Sequence, residues 1–212
     1  MSTEFNPLDA ATLDWNKVGG LMPAIVQDVA TQRVLMLGYM DRAALDATRS
    51  SGKVTFFSRS KQRLWVKGET SGHTLELVEI RADCDADTLL ISARPHGPTC
   101  HTGAVSCFAG APGNFLGALD ALIQQREHDR PINSYTTKLF EDGTRRIAQK
   151  VGEEGVETAL AGVAQLDDDL LGESADLLFH LIVLLRARGL SLDDAVAVLE
   201  QRHARAASKA AR

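Results

Sequence analysis

Three cysteines, Cys84, Cys100 and Cys107, are all the thiols of the chain, and they fall in one segment, DCDADTLLISARPHGPTCHTGAVSCF, rich in Asp and His. An odd number of thiols cannot pair completely. Three soft ligands suit a zinc ion with a fourth position left to water, whereas structural zinc usually takes four protein ligands. Asp83, Asp85 and Asp87 alternate with Cys84 and Ala86, so an extended chain would turn three carboxylates to one side and Cys84 to the other. Carboxylates suit Mg²⁺ and thiolates suit Zn²⁺, so ligand type alone can sort two metals on this stretch. Cys100 and Cys107 flank a Gly-containing loop able to return to Cys84, in the same subunit or from a partner. Buried structural cysteines and a solvated acidic turn are the plainer alternatives.

Zinc lowers the pKa of its bound water to about 7. In nucleobase deaminases that hydroxide is directed at C6 of adenine while a separate acid/base residue moves protons. Hydrolytic attack on a purine ring is therefore a natural use of such a site. His101, next to Cys100, is the candidate proton carrier, with a ligand or an ordinary polar role as alternatives. Upstream, RLWVKGETSG offers Trp65 to stack a base, Lys67 and Glu69 as charges, and Ser71 in a Ser-Gly turn; Arg59 is a candidate phosphate contact. Taken singly, a strand Trp is more often core and an Arg more often surface.

A second constellation lies in KVGEEGVETALAG and the next apolar-periodic stretch. Glu153, Glu154 and Glu157 stand at i, i+1 and i+4, and Glu173 and Asp176 at i and i+3. Antiparallel helices would bring these faces together to hold Mg²⁺, as inward carboxylates do in di-metal bundles. A solvated face is the alternative, and the neighbouring Val156, Ala159, Leu160, Leu177 and Leu178 argue that part of this surface is buried. Lys138, Arg146 and Lys150 are candidate phosphate contacts.

The elements that must position these residues divide near FAGAPGN, giving domains 1–110 and 111–212. Before it, PAIVQDV, RVLMLGYM, KVTFFSR, RLWVKG, TLELVEIR and DTLLISAR read as strands, with one helix at DRAALDATRSSG capped by Asp41 and ended by Gly52. After it, the spacing predicts helices over 114–129, 134–165, 168–188 and 192–206, the second interrupted near Gly143. Gly189 closes the third, Ser191 caps the last, and the tail HARAASKAAR is expected to fray. The fold class is α+β, a mainly-β domain followed by an all-α bundle.

A net charge of -5 argues against a nucleic-acid surface, and LLFHLIVLL, interrupted by His180, is too short to span a bilayer. The N-terminus MSTEFNPLDAATLDW lacks a secretory pattern, so a cytoplasmic location is expected.

GLMPAIVQDVATQRVLMLGYM, FFSRSKQRLWVKGETSG, DCDADTLL and GPTCHTGAVSCF together resemble phosphoribosyl-AMP cyclohydrolase of histidine biosynthesis. The resemblance implies opening of the adenine ring between N1 and C6, zinc on Cys84, Cys100 and Cys107, and magnesium on Asp83, Asp85 and Asp87. It also implies a homodimer with zinc ligands shared between subunits. Phe57 stands where many relatives carry Tyr, so no hydroxyl contact is carried over. SYTTKLFEDGTRRIAQKVGEEGVETALA and ESADLLFHLIVLL look like phosphoribosyl-ATP pyrophosphohydrolase, implying Mg²⁺-assisted water attack between the α- and β-phosphates. Two fused hydrolases acting on successive nucleotides is the resulting expectation. A general nucleoside-triphosphate pyrophosphohydrolase with a degenerate first half, and a zinc-stabilised dimerisation module, are the competing readings.

Overall fold

The computed structural model describes residues 8–210, whose contacts divide into two compact units meeting between Phe115 and Leu116. In the first unit, β1 (Met22–Asp28), β2 (Val34–Met40), β5 (Leu75–Ala82) and β6 (Leu89–Pro95) form a sheet in the order β2-β1-β6-β5. β1 pairs antiparallel with β2 and parallel with β6, and β5 pairs antiparallel with β6. The buried residues of β1, Met22, Ala24, Val26 and Asp28, alternate along the strand. This is the period of a sheet with one covered face. Met22, Ala24 and Val26 pack with Leu35, Met40, Leu45, Leu89 and Ile91 in one core.

β3 (Thr55–Ser58) and β4 (Arg63–Val66) form a separate hairpin. α1 (Arg42–Ser51) opens on the Asp41 side chain, which accepts from Ala44 N, and closes on Gly52 at φ 68. The six strands and this helix fall where the sequence places them.

The second unit is helical: α2 (Phe115–Asp129), α3 (Tyr135–Asp142), α4 (Thr144–Ala164), α5 (Asp167–Arg186) and α6 (Leu192–Ala210). The expected interruption is at Gly143, φ 86, and separates α3 from α4. Ser191 caps α6 by accepting from Asp194 N, and Gly189 lies just beyond α5 at φ 71. α6 extends through Ala210, into the tail expected to fray, and the last two residues lie outside the described ones. The fold is thus a mainly-β half followed by an all-α half, and no helix among the described residues is long and apolar enough to cross a membrane.

Ile123, Leu139, Ile147, Ile182 and Val183 form the core of the helical unit. Beside it the Arg186 guanidinium donates twice to Asp120, at 2.6 Å each, and Leu192 N donates to the same carboxylate. That buried pair ties α2 to α5 and to the start of α6. Removing one partner of such a pair typically costs about 3–5 kcal/mol.

Candidate functional site

The acidic segment after β5 is not extended. Ala86 takes φ 59, and the Asp83 carboxylate accepts from the backbone N–H of Asp87 at 3.0 Å and Thr88 at 3.1 Å, closing a tight loop. The alternation expected of a strand therefore fails. The loop nevertheless gathers the carboxylates of Asp83, Asp85 and Asp87 so that ligand oxygens lie within 4.8 Å of one another. Hard oxygens at that spacing fit a divalent cation.

A residue that local sequence reading missed stands among them. The Lys17 ammonium is paired with Asp85, and lies 2.5 Å from Asp87. Its hydrogen bonds hold both carboxyls below the usual range, and the same bonds, seconded by the carboxylate charges, raise the Lys17 pKa. No local pattern could have found Lys17, which is 68 positions from Asp85.

The thiols are exposed or half-buried, so they are not structural core cysteines. Cys100 and Cys107 lie near enough for each thiol to shift the other's pKa. Thr102 donates its hydroxyl to Cys100 Sγ at 3.1 Å and pulls that thiol's pKa down, whereas desolvation pushes Cys107 up. Cys107 is held by its N–H on Leu35 O, and Ser106 beside it donates to Val34 O at 2.7 Å, so β2 fixes the loop. His101 Nδ1 lies 3.7 Å from Cys100 Sγ. Cys84 does not join this pair: among the described residues the three thiols do not form a set of ligand atoms within 4.8 Å of one another.

Lys67 is buried, and its ammonium donates to His73 O at 3.2 Å. Burial lowers its pKa against the raising influence of Cys107 and Cys100. The turn depends on Gly68 at φ 85, where a Cβ would fall 2.3 Å from His73 O. Glu69 is engaged by Arg63, whose hydrogen bond depresses its pKa, and Ser71 Oγ accepts from His73 N. Trp65 packs on Phe56, and Arg59 lies over the Tyr39 ring.

In the helical unit Gly155 faces Leu177 and Gly162 faces Leu170, so α4 and α5 run antiparallel. Glu154, Glu157 and Glu173 thereby converge within 4.8 Å. Desolvation, then the charges of Glu157, Glu154 and Asp176, raise the Glu173 pKa. Such mutual repulsion is what a bound cation relieves. Glu153 turns away, accepting from Gln149 at 2.7 Å and Lys150 at 3.0 Å, with Arg146 3.6 Å distant. Lys150 also reaches Glu154 at 2.7 Å, while Lys138 is exposed on α3.

The apolar neighbours do not bury this surface as the sequence suggested. Val156 is 60% and Leu160 58% exposed, while Glu154 is only 4% exposed. Beside Glu154 the sequence reading also missed His180, whose Nδ1 faces Asp176 O at 2.9 Å and Glu154 at 3.6 Å, with Nε2 on Tyr135 OH at 2.9 Å. A histidine inside the apolar run LLFHLIVLL was the available signal.

The phosphoribosyl-AMP cyclohydrolase family model matches residues 36–109, and the phosphoribosyl-ATP pyrophosphohydrolase model matches residues 116–203. The histidine biosynthesis bifunctional protein HisIE of Xanthomonas axonopodis pv. citri is 72% identical over 91% of this chain and 94% of its own length. The proteins of that name from Xylella fastidiosa and Escherichia coli are 73% and 55% identical, each over 90% of this chain and at least 93% of their own. With one metal-competent cluster in each half and one family model over each, the chain belongs to the bifunctional histidine-biosynthesis family that joins a phosphoribosyl-AMP cyclohydrolase to a phosphoribosyl-ATP pyrophosphohydrolase.

Proposed function

We propose a division of labour for this bifunctional hydrolase. Residues 111–212 cleave phosphoribosyl-ATP to phosphoribosyl-AMP and pyrophosphate, and residues 1–110 then open the adenine ring of phosphoribosyl-AMP between N1 and C6. The observation that carries this reading is the presence of two separate ligand clusters, acidic with thiols in the β half and purely acidic in the helical half. The order of the halves in the chain is the reverse of the order of the reactions.

In the helical half, Glu154, Glu157 and Glu173 would hold magnesium, with Asp176 on the same face. A metal held there would supply charge compensation for the phosphates and a site for the water that attacks between the α- and β-phosphates. Lys138, Arg146 and Lys150 bind the phosphate chain. Glu153 keeps Arg146 and Lys150 aligned until substrate takes its place.

In the β half, Cys100 and Cys107 would hold zinc together with Cys84 from a second copy of the chain, which makes a homodimer the active form. The separation of Cys84 from the thiol pair within one chain supports this. Zinc held there would supply hydroxide at neutral pH. His101 Nε2 carries the proton delivered to N1 as the N1–C6 bond breaks. Lys67 places positive charge behind the thiols, and Asp83, Asp85 and Asp87 would hold magnesium once Lys17 withdraws. Three free thiols also suit a reducing cytoplasm.

Mass spectrometry of phosphoribosyl-ATP incubated with the protein, Mg²⁺ and Zn²⁺ tests the reading. Loss of pyrophosphate followed by gain of one water is expected. Hydrolysis of ordinary nucleoside triphosphates, with phosphoribosyl-ATP left intact, would sink it.

A further inference from the structure

Between His101 and Gly110 one residue is buried, and it is polar: Ser106, 9% exposed, with the exposed Val105 and Cys107 on either side. Burial of apolar side chains therefore contributes little to the path of this segment, and hydrogen bonds to β2 set it instead. β2 is an edge strand of its sheet, so one row of its carbonyls lies outside the ladder. In a regular strand successive carbonyls face opposite edges. Arg33 O accepts from Asp28 N on the β1 side, at 2.9 Å, and Val34 O faces out, where Ser106 Oγ donates to it at 2.7 Å. Leu35 O should then face β1 again, yet it accepts from Cys107 N at 2.8 Å. The register explains the exception: Val26 pairs with Met36 and Gln27 with Val34, which leaves Leu35 as an extra residue without a counterpart in β1. This bulge turns two consecutive carbonyls to the same edge. The Ser106 hydroxyl also lies 3.3 Å from Leu35 O and accepts from Phe108 N at 2.9 Å, so its donor and its acceptor capacity are both used. Cys107 is thereby fixed at its own N–H and through the residues on both sides of it.

We infer that Ser106 is a positioning residue for zinc at Cys107: its hydroxyl, seated on the Leu35 bulge, fixes the backbone from which the Cys107 thiol projects before the ion arrives. The inference rests on the zinc-dependent ring opening proposed for this half. A ligand that must be ordered when the metal binds gives up part of the affinity, and a ligand already held does not. Loss of hydrogen bonds that orient metal ligands lowers metal affinity by about 10 to 100-fold. Without the Ser106 hydroxyl, Cys107 keeps the bond from its N–H to Leu35 O, while the links from residue 106 to Val34 O and from Phe108 N to residue 106 are lost.

The test is the zinc affinity of the full-length protein, read by competition with a chromophoric chelator, with Mg²⁺ in excess to fill the acidic clusters. The sulfur-to-metal charge-transfer band of the Co²⁺-substituted protein gives a second readout that depends on the thiols. Both are measured on the parent, on Ser106→Ala, on Cys107→Ser and on the double variant. Ser106→Ala is expected to weaken zinc binding by about 10 to 100-fold and to diminish the charge-transfer band. In the Cys107→Ser background, where the thiol is already gone, Ser106→Ala should add no further loss. A general loosening of the β half would weaken zinc with or without the thiol at 107. Equal losses in the two backgrounds therefore overturn the assignment, as does Ser106→Ala protein that binds zinc like the parent. Cys107→Ser protein that binds zinc like the parent and opens the ring sinks the proposed zinc site and this inference with it. A zinc affinity that depends on Cys107 and not on Ser106 sinks this inference alone.

Discussion

The Tyr135 hydroxyl and His180 Nε2 are hydrogen-bonded at 2.9 Å across the gap between α3 and α5. The other ring nitrogen of His180 faces a backbone carbonyl, Asp176 O, which can only accept. In the neutral ring the proton then sits on Nδ1, and Tyr135 donates to Nε2. The same Nδ1 is 3.6 Å from Glu154, so the imidazole braces a carboxylate of the acidic cluster from behind.

Tyr135→Phe should therefore leave a buried acceptor unpaired and loosen that brace. The expected loss is about 1–3 kcal/mol of stability in the helical half. Pyrophosphate release should slow, and the Mg²⁺ requirement should rise, while ring opening supplied directly with phosphoribosyl-AMP stays unchanged. An equal loss in both half-reactions would count against a role confined to the helical site.

Lys17 occupies the position between Asp85 and Asp87 that a divalent cation needs, so the two compete for the same oxygens. Lys17→Met should raise the affinity of the β half for Mg²⁺, by about tenfold for the loss of one competing charge-assisted pair. Calorimetric titration of the Glu173→Gln background, which weakens the helical site, isolates the effect. An unchanged or weaker affinity would show that Lys17 supports the metal site instead of competing for it.

Much of the layout was legible in the sequence because it is local. The period-two apolar pattern gives the strands, Asp41 and Gly52 bracket α1, and Gly143 interrupts the helical run where a φ of 86 is required. The two acidic clusters were legible for a similar reason, since their members sit close in sequence or on facing helices. What failed was conformation and long-range pairing. DCDAD reads as a strand by alternation, but the Asp83 side chain captures two backbone N–H groups and turns it. Lys17, Ser106 and the Tyr135–His180 pair meet partners between 45 and 72 positions away, and no spacing rule reaches that far. Val156 and Leu160 misled because apolar composition does not say whether the covering surface belongs to the same chain.

A pH dependence follows at the start of α6. The Asp194 carboxylate accepts from Ser191 N and Ser191 Oγ, each at 2.7 Å, and these bonds hold its pKa below the ordinary carboxylate value. A depressed folded-state pKa means that the contribution is fully present above the unfolded value of about 3.9 and is lost as pH falls through the lower folded value. Asp194→Asn should lower the melting temperature at pH 7, and the gap between parent and variant should close on acidification below about pH 4. A gap that stays constant down to pH 2 would show that the charge on Asp194 is immaterial.

The distribution of the thiols yields the sharpest outcome. Cys84→Ser and Cys107→Ser should each abolish ring opening while leaving pyrophosphate release intact, because the helical half carries its own cluster. If zinc is bound by Cys100 and Cys107 of one copy and Cys84 of another, a mixed dimer of the two variants contains one site with all three thiols and one lacking two. Mixing the inactive proteins under conditions of subunit exchange should then restore ring opening to about a quarter of the parent level, half the dimers being mixed and each having one intact site. Zinc content should recover in step. A site built from a single chain would give no recovery at any mixing ratio, since each variant chain lacks one ligand.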